Sequence, residues 1–313
     1  MENITLHYLN EDKSQRLDVW LAAELEKTRS CVQNLISSGA VTVNGKPVKA
    51  GTVLKYGDEI YVIMPEPTPL DMVSQEILLD IVYEDDDIIV INKPKNMVVH
   101  PAAGNPDGTL VNALLHHCDG GLSDINGVIR PGIVHRIDKD TTGLICVAKN
   151  NAAHLSLAEQ LKNHTMERIY IALVDGIINE DSAIINAPIG RHPIDRKKMA
   201  VNTKNGREAI THFKVLERFP HSAHSSKAYT LIEARLETGR THQIRVHMAY
   251  IGHPVCGDEV YGKKFPLCET NGQMLHAYKL SLIHPRTKIK ETFTAPIPTE
   301  FESILDIIQS PVS

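Results

Sequence analysis

Two aspartates lie in a short polar loop ahead of a strongly apolar run. Asp138 and Asp140 belong to segment 135–144, which reads His-Arg-Ile-Asp-Lys-Asp-Thr-Thr-Gly-Leu and follows Pro131 and Gly132. An aspartate in a loop just before a strand is exposed enough to act as a nucleophile, although it more often satisfies the backbone of a turn. Paired carboxylates serve glycosidases. Two positions in one loop do not reliably face each other, so the sequence disfavours that chemistry.

The residues around this loop predict a large sheet with a few helices. From residue 78 onward, apolar runs of strand length alternate with segments of helical spacing. This order predicts an α+β domain, residues 77–310, with a large mixed and mainly antiparallel β-sheet. The predicted strands cover 88–91, 144–148, 169–174 and 229–236, and the predicted helices cover 111–117, 152–161 and 242–251.

The amino-terminal part of the chain predicts a separate small domain, residues 13–64. Apolar residues recur at helical spacing after Arg16, and Gly39 is placed to end a second helix. Asn44-Gly45 then stands between two strand-like runs, which is a strong β-hairpin signal. The small domain is therefore expected to be a helix-helix-hairpin unit.

Charge is distributed unevenly along the chain. The formal net charge is −5, which by itself argues against a nucleic-acid partner. The predicted linker 65–76, with prolines at 65, 67 and 69, begins an acidic stretch that has no Lys or Arg through Asp87, so the rest of the chain is net positive. Segment 191–207 concentrates cations, a pattern typical of a solvated face or of a phosphate-binding surface.

Neither a membrane anchor nor a metal site is expected from the sequence. No apolar stretch approaches the roughly 20 residues that span a bilayer, which favours a cytoplasmic protein. The five cysteines are scattered without a Cys-x-x-Cys pair, so we expect all of them to be reduced packing residues. The run His116-His117-Cys118 is the nearest metal candidate, and we expect it to be structural.

Four stretches resemble, in order, the motifs of the RluA family of pseudouridine synthases. Segment 135–144 is similar to the family signature His-Arg-Leu-Asp-x-x-Thr-Ser-Gly, with Ile137 for Leu and Thr142 for Ser. The other stretches are Asn92-Lys93-Pro94 with Gly108-Thr109-Leu110, the run 170–176 and the run 239–247. Agreement on all four in this order is not expected by chance.

This resemblance implies roles for four side chains. Asp138 falls on the family's nucleophile, Tyr170 on a tyrosine that packs on the target base, and Arg245 on a cation beside the carboxylate. We expect Arg245 to hold Asp138 bidentately, because the planar guanidinium matches a carboxylate. Arg136 matches a residue that fills the space left by a flipped nucleotide. No cofactor or metal is expected, because uridine and pseudouridine are isomers.

The small domain resembles the S-four type RNA-binding domain through Arg16-Leu17-Asp18, Thr28-Arg29-Ser30 and Val43-Asn44-Gly45. Its combination with the catalytic motifs is similar to the RluC and RluD branch, and most of all to RluD-type enzymes. That likeness implies structured RNA as the partner, in large-subunit ribosomal RNA or a pre-ribosomal particle. The sequence gives no oligomeric state, and a monomer is the default expectation. The expected RNA contacts are Arg16, Arg29, Lys93, Arg136, Arg191, Arg196, Lys197 and Lys198.

Two other functions remain open at this level. A catalytically silent RNA-binding or ribosome-assembly protein would keep the fold, but it should show decay at Asp138, Tyr170 or Arg245, and all three are present. A nucleoside hydrolase would cleave the same bond and release free uracil. Tritium release from labelled RNA, together with chromatography of the digested product, separates these outcomes.

Overall fold

A computed structural model describes residues 2–10, 14–25, 27, 29–64, 73–101, 105–125, 131–195, 198–220, 227–262 and 272–309. The prolines at 65, 67 and 69, and with them most of the predicted linker, lie outside these residues, as do Arg196, Lys197 and Cys268. Among the described residues, no helix combines the length and the apolar character needed to cross a lipid bilayer.

The amino-terminal part forms a four-stranded sheet with two helices. Its elements are β1 (Glu2–His7), α1 (Leu17–Glu24), α2 (Arg29–Ser37), β2 (Val41–Val43), β3 (Lys46–Pro47) and β4 (Glu59–Met64). The strand order is β1-β4-β2-β3, and every pair is antiparallel. Because β1 pairs with β4, the sheet includes residues ahead of the predicted start at residue 13.

The turn between β2 and β3 follows from its sequence. Asn44 and Gly45 have φ values of 51° and 72°, the left-handed conformation that a two-residue hairpin requires at both positions. Gly39, with φ 80°, follows the end of α2. Apolar side chains of both helices and of the sheet, among them Leu17, Leu21 and Ile60, are fully buried in one core. The predicted helix-helix-hairpin unit is confirmed.

The larger part of the chain is built on one sheet of nine strands. Its elements are β5 (Ile81–Glu84), β6 (Ile88–Lys93), α3 (Leu110–His117), β7 (Thr142–Ala148), α4 (Asn151–Lys162), β8 (Glu167–Asp175), β9 (Ser182–Asn186), β10 (Ile189–Arg191), β11 (Met199–Val201), β12 (Ile210–Phe219), β13 (Tyr229–Leu236), α5 (Gln243–Tyr250), β14 (Leu275–Ile283), β15 (Lys290–Thr294) and α6 (Thr299–Gln309).

The sheet order is β5-β6-β7-β14-β8-β13-β12-β9, and β15 pairs with β14. All described pairings are antiparallel except that of β7 with β14. This arrangement confirms the α+β class with a mixed, mainly antiparallel sheet. Strands β10 and β11 form a separate hairpin.

Strand β14 aligns the loop of segment 135–144 with β8. Ala277 of β14 is the register partner of Gly143 on one side and of Tyr170 on the other. Gly143 has φ 105°, and a Cβ atom there would lie 2.3 Å from the carbonyl oxygen of Ala277. Only glycine tolerates this close approach, so the end of the loop is fixed beside Tyr170.

Residues 73–76 are bonded to the large domain. The Gln75 amide donates to the Asn112 carbonyl oxygen, and the Gln75 side chain accepts a hydrogen bond from the Gly108 amide at 2.7 Å. The Asn112 side chain in turn donates to the Val73 carbonyl oxygen at 2.8 Å. The described end of the predicted linker therefore packs on the large domain.

Candidate active site

The loop after residue 134, the strand β8 and the start of α5 enclose one cavity of about 700 Å³. Asp138 and Tyr170 both line it, as does Arg136, whose side chain is exposed. Arg245 lies next to the cavity wall, one position after the lining residue Ile244. The structure thus brings together the three residues predicted to be catalytic.

Asp138 is held by Arg245 through one hydrogen bond. Arg245 Nη1 donates to Asp138 Oδ2 at 2.8 Å. Among the described residues, Asp138 Oδ1 accepts no hydrogen bond, and His242 Nε2 lies 3.8 Å from it. One carboxylate oxygen is therefore bound by Arg245, and the other remains available.

The bidentate partner of Arg245 is Asp258, which the sequence interpretation missed. Arg245 donates from Nε to Asp258 Oδ2 at 2.6 Å and from Nη2 to Oδ1 at 2.9 Å. The prediction that Arg245 holds Asp138 bidentately is wrong, because two of its three nitrogens are taken by Asp258. Asp258 is fixed in turn by the backbone amides of Val260 and Tyr261, at 2.9 and 3.0 Å.

Both members of this buried pair are charged. Burial lowers the pKa of Arg245, but the hydrogen bond to Asp258 and the charges of Asp138 and Asp258 raise the pKa above its ordinary value. Burial raises the pKa of Asp258, and the hydrogen bonds from Arg245 more than offset it, so this pKa lies below its ordinary value. The ring of Tyr261 also lies 5.2 Å from the Arg245 guanidinium carbon, a cation–π contact. Arg245 is thus a rigid, permanently charged support for Asp138.

Tyr170 is buried in the cavity wall, with 6% of its surface exposed. Burial raises the pKa of its phenol, so the side chain is neutral at neutral pH. It lies on β8 in register with Ala277, the residue that also fixes Gly143. A neutral aromatic ring at this position can pack against a planar base.

His242 lies beside Asp138 and contacts Tyr261. His242 has a left-handed backbone, φ 57°, at the residue before α5. Its Nδ1 lies 2.8 Å from the Tyr261 hydroxyl, which accepts a hydrogen bond from the Met199 amide at 2.9 Å. Burial lowers the pKa of His242. Because Met199 belongs to β11, this chain of contacts connects the β10–β11 hairpin to the cavity.

His135 supports the loop that carries Asp138. Its Nε2 accepts a hydrogen bond from the Cys146 amide of β7 at 3.0 Å. Burial and the charge of Arg168 lower the pKa of His135 to about 3, so the imidazole is neutral. The ring therefore serves as an acceptor that ties the loop to the sheet, which agrees with a structural role.

Lys93 does not lie on the surface, and the prediction that it contacts RNA is wrong. Its side chain is 0% exposed, and Nζ donates to the carbonyl oxygens of Pro94, Met97 and Lys139 at 2.7, 2.9 and 2.9 Å. Burial lowers its pKa to about 7. Lys139 directly follows Asp138 in the chain. The hydrogen bond from Lys93 to the Lys139 carbonyl oxygen therefore helps to fix the loop that carries Asp138.

The other predicted RNA contacts lie in two regions. Arg16 and Arg29 both bind the fully buried carboxylate of Asp18, at 3.0 and 2.9 Å, and about half of each side chain remains exposed. These bonds lower the pKa of Asp18, despite its burial. Arg191 is exposed on β10 and Lys198 is half-buried just before β11, whereas Arg196 and Lys197 lie outside the described residues.

The two metal candidates among the described residues are held by hydrogen bonds. His117 Nε2 lies 2.7 Å from Glu84, which accounts for one histidine of the run 116–118. Asp85, Asp87 and His284 place ligand atoms within 4.8 Å of one another. Arg286 donates two hydrogen bonds to Asp87, at 2.5 and 2.9 Å. The guanidinium of Arg286 therefore already neutralises the Asp87 carboxylate.

Comparison with known proteins identifies the same two regions. The family described as RNA pseudouridylate synthase matches residues 87–250, and the family described as S4 domain matches residues 15–60. An uncharacterized RNA pseudouridine synthase of Bacillus subtilis is 50% identical over 307 residues, covering 98% of each chain. The ribosomal large subunit pseudouridine synthase D of Pseudomonas aeruginosa is 44% identical over 309 residues, covering 94% of this chain and 92% of the relative.

Solved structures show the same fold. The human RNA pseudouridylate synthase domain containing 1 aligns with a TM-score of 0.57 and 25% identity, over 76% of this chain and 97% of the human one. The predicted RluA-family resemblance is confirmed by the family match and by the full-length relatives. The chain belongs to the RNA pseudouridylate synthase family.

Proposed function

We propose that this isomerase converts uridines of large-subunit ribosomal RNA to pseudouridine, with Asp138 as its catalytic carboxylate. Relatives named for the large ribosomal subunit support the choice of RNA. The contact of Arg245 with Asp138, on the wall of a cavity that Tyr170 also lines, carries the catalytic assignment. We also propose that the protein acts in the cytoplasm as a monomer, on ribosomal RNA or on a pre-ribosomal particle.

The reaction exchanges one bond of the target nucleotide. The bond from the ribose carbon C1′ to uracil N1 breaks, the base turns in place, and C1′ bonds to C5. The proton on C5 is lost, and N1 carries a proton in the product. Substrate and product have the same composition, so the cavity must hold the detached base until the second bond forms.

Asp138 can serve this exchange in either of two ways. Its free oxygen can form a transient covalent bond with the substrate, or it can remove a proton beside the anomeric carbon. Both routes need a carboxylate fixed next to a permanent positive charge, which the bond from Arg245 Nη1 at 2.8 Å provides. Arg245 itself is held by Asp258, so its position does not depend on the substrate.

Tyr170 and Arg136 would handle the nucleotide. A uridine in a stem or stacked loop must leave the stack before its glycosidic bond can be reached. The neutral Tyr170 ring would pack on the base in the cavity. The exposed Arg136 would occupy the space in the RNA that the base has left.

We propose that the two domains divide the work. Residues 13–64, as the S-four type RNA-binding domain, would bind the surrounding RNA through Arg16 and Arg29, and residues 77–310 would carry the chemistry. Residues 65–76 would join them. The β10–β11 hairpin, which Met199 and Tyr261 connect to the cavity, would contact phosphates of the RNA, and the cations of segment 191–198 would contribute to this binding.

The experiment is a comparison of ribosomal RNA with and without the protein. Pseudouridines are mapped by chemical probing in RNA from wild-type cells and from a strain that lacks this gene, and specific sites should disappear. The purified protein should restore those sites and release tritium from RNA labelled at uracil C5. Free uracil in the digest would indicate a hydrolase, and binding without release of tritium would indicate a silent protein.

A further inference from the structure

Arg168 lies in the wall of the same cavity with most of its hydrogen-bonding capacity unused. The side chain is on β8, two residues before Tyr170, and is 6% exposed. Nη2 donates to the Glu237 carbonyl oxygen at 3.3 Å, and the buried Nε has no partner among the described residues. No described carboxylate forms an ion pair with it. A guanidinium has five N–H donors, so most of its donors have no acceptor.

A buried cation without a counter-charge is unfavourable in an empty cavity. Burial lowers the pKa of Arg168, although an arginine in a protein remains protonated. Removing a charge from water has a cost that only a partner can offset. The arrangement is therefore complete only when an anionic or strongly accepting group enters the cavity.

The sequence makes room for this guanidinium. Gly239 lies beside it, and a Cβ atom at this position would be 2.7 Å from Arg168 Nη1. Any larger residue would displace the charged end of the side chain. Gly239 thus leaves the space that the Arg168 guanidinium occupies, although the two residues lie far apart in the sequence.

The rest of the wall is also cationic. Arg136, Lys162 and Arg240 line the cavity with Arg168, and the described lining contains one carboxylate, Asp138, which is already paired with Arg245. A cavity with this charge favours a polyanion. Since the proposed substrate is RNA, the anion nearest to a nucleotide in the cavity is one of its own phosphates.

We propose that Arg168 binds the phosphate group that flanks the nucleotide in the cavity. This inference rests on the proposed function, because it assumes that the target nucleotide occupies this space. Arg168 and Tyr170 lie on the same side of β8, about 7 Å apart, a distance that one nucleotide can span from base to phosphate. The planar guanidinium can donate two parallel hydrogen bonds to the phosphate oxygens. The phosphate would thus fix the depth of the base at Tyr170 and Asp138.

The test measures equilibrium binding of small probes to the full-length protein. Uridine, uridine 3′-monophosphate and uridine 5′-monophosphate are titrated by calorimetry or by phosphorus NMR. One monophosphate should bind at least about tenfold more tightly than uridine, as expected for a charge-assisted hydrogen-bond pair. The preferred isomer identifies which flanking phosphate occupies the site.

The variant Arg168→Gln should lose this preference. Glutamine can still donate to the Glu237 carbonyl oxygen, so the wall keeps that bond, while uridine should bind within about twofold of wild type. The variant should also be at least as stable to unfolding as the wild type, because it removes an unpaired buried charge. The matched control Lys214→Gln removes an exposed cation of β12 outside the cavity, and it should keep the full preference.

A second variant tests whether the position of the Arg168 guanidinium matters as well as its charge. Gly239→Ala keeps Arg168 but pushes its Nη1 aside, so it should also reduce the phosphate preference. If Arg168→Gln keeps the full preference, or if the wild type binds the monophosphates no better than uridine, the proposal is overturned. Equal losses for uridine and the monophosphates would assign Arg168 to the base, which also overturns it. Normal tritium release by the wild type in these cases would leave the proposed function intact.

Discussion

The substitution Asp258→Asn tests whether Arg245 depends on its buried partner. Asp258 Oδ2 accepts from Arg245 Nε, and Oδ1 accepts from Arg245 Nη2 and from the amides of Val260 and Tyr261. Asparagine has nearly the same size but only one acceptor oxygen and one amide group. Either Arg245 or the two backbone amides must then face a donor.

The expected magnitude follows from burial. Asp258 is 3% exposed and Arg245 is 5% exposed, so the variant leaves a buried charge with only Asp138 as its counter-charge. Breaking a buried pair in this way costs about 3 kcal/mol of unfolding free energy. Arg245 keeps one hydrogen bond to Asp138, so its orientation is no longer fixed. We expect the single-turnover rate constant to fall about 100-fold, which corresponds to about 2.7 kcal/mol of activation free energy.

The matched control is Asp181→Asn, the same chemical change at an exposed pair. Asp181 binds Arg218 at 2.7 Å, but its side chain is 91% exposed. A surface pair of this kind contributes less than about 1 kcal/mol. Unfolding is followed in urea by far-ultraviolet circular dichroism, because the single tryptophan, Trp20, reports only on the small domain. Rates are measured by tritium release with enzyme in excess of RNA.

Two results would refute this reasoning. A rate constant within threefold of wild type would show that Arg245 is correctly placed without Asp258. A loss of stability no larger than that of Asp181→Asn would show that the buried pair stabilises the domain no more than the surface pair does. If the variant kept both the rate constant and the stability, Asp258 would serve only to shape the loop that follows it.

Further predictions concern the carboxylates and the two domains. Asp138→Asn should reduce single-turnover tritium release below about one part in a thousand while RNA affinity stays within a few fold, and substantial residual turnover would remove Asp138 from its proposed role. A protein truncated to begin at Val73, which keeps the bonds of residues 73–76 to the large domain, should retain the saturating rate within about tenfold, and a thousandfold loss would contradict the two-domain proposal. Neutralising the cations at 196–198 should lower the log-log salt slope of RNA binding by about one unit per lost phosphate contact, and an unchanged slope would indicate a solvated face. The pKa of Asp87 is about 2 when folded, below its ordinary value, because Arg286 binds it. Its contribution of up to about 2 kcal/mol is therefore present above pH 4 and lost as the pH falls from about 4 to 2, so unfolding of Asp87→Asn should depend less on pH in this window.

The sequence predicted the features that depend on local patterns. Asn44-Gly45 identified the hairpin because two residues in the left-handed conformation suffice to set the turn. The signature around Asp138 placed the loop, and β13 was predicted with the bounds that the structure shows, 229–236. Gly143 ends the same signature, and its φ of 105° and its close approach to Ala277 explain why a glycine occupies this position.

The features that the sequence did not predict depend on long-range contacts. Asp258 lies 13 residues after Arg245 in a loop, so no helical or strand spacing connects the two side chains. Lys93 was expected to contact RNA, and only the fold shows that it is buried with three carbonyl oxygens around its Nζ. The sequence offered no reason to select Arg168. The absence of a described carboxylate beside a buried arginine becomes visible only in the folded structure.

The register of β14 makes the alignment of the candidate active site depend on a distant part of the chain. Gly143 and Tyr170 lie near the middle of the sequence, but Ala277, which pairs with both, comes more than 100 residues later. Pairings between residues so far apart in sequence form late, because closing the intervening loops has an entropic cost. A chain that ends before β14 lacks the strand that lies between Gly143 and Tyr170, so we expect its Asp138 loop not to be aligned with β8. Such a chain is therefore expected to be inactive, although it contains Asp138, Tyr170 and Arg245.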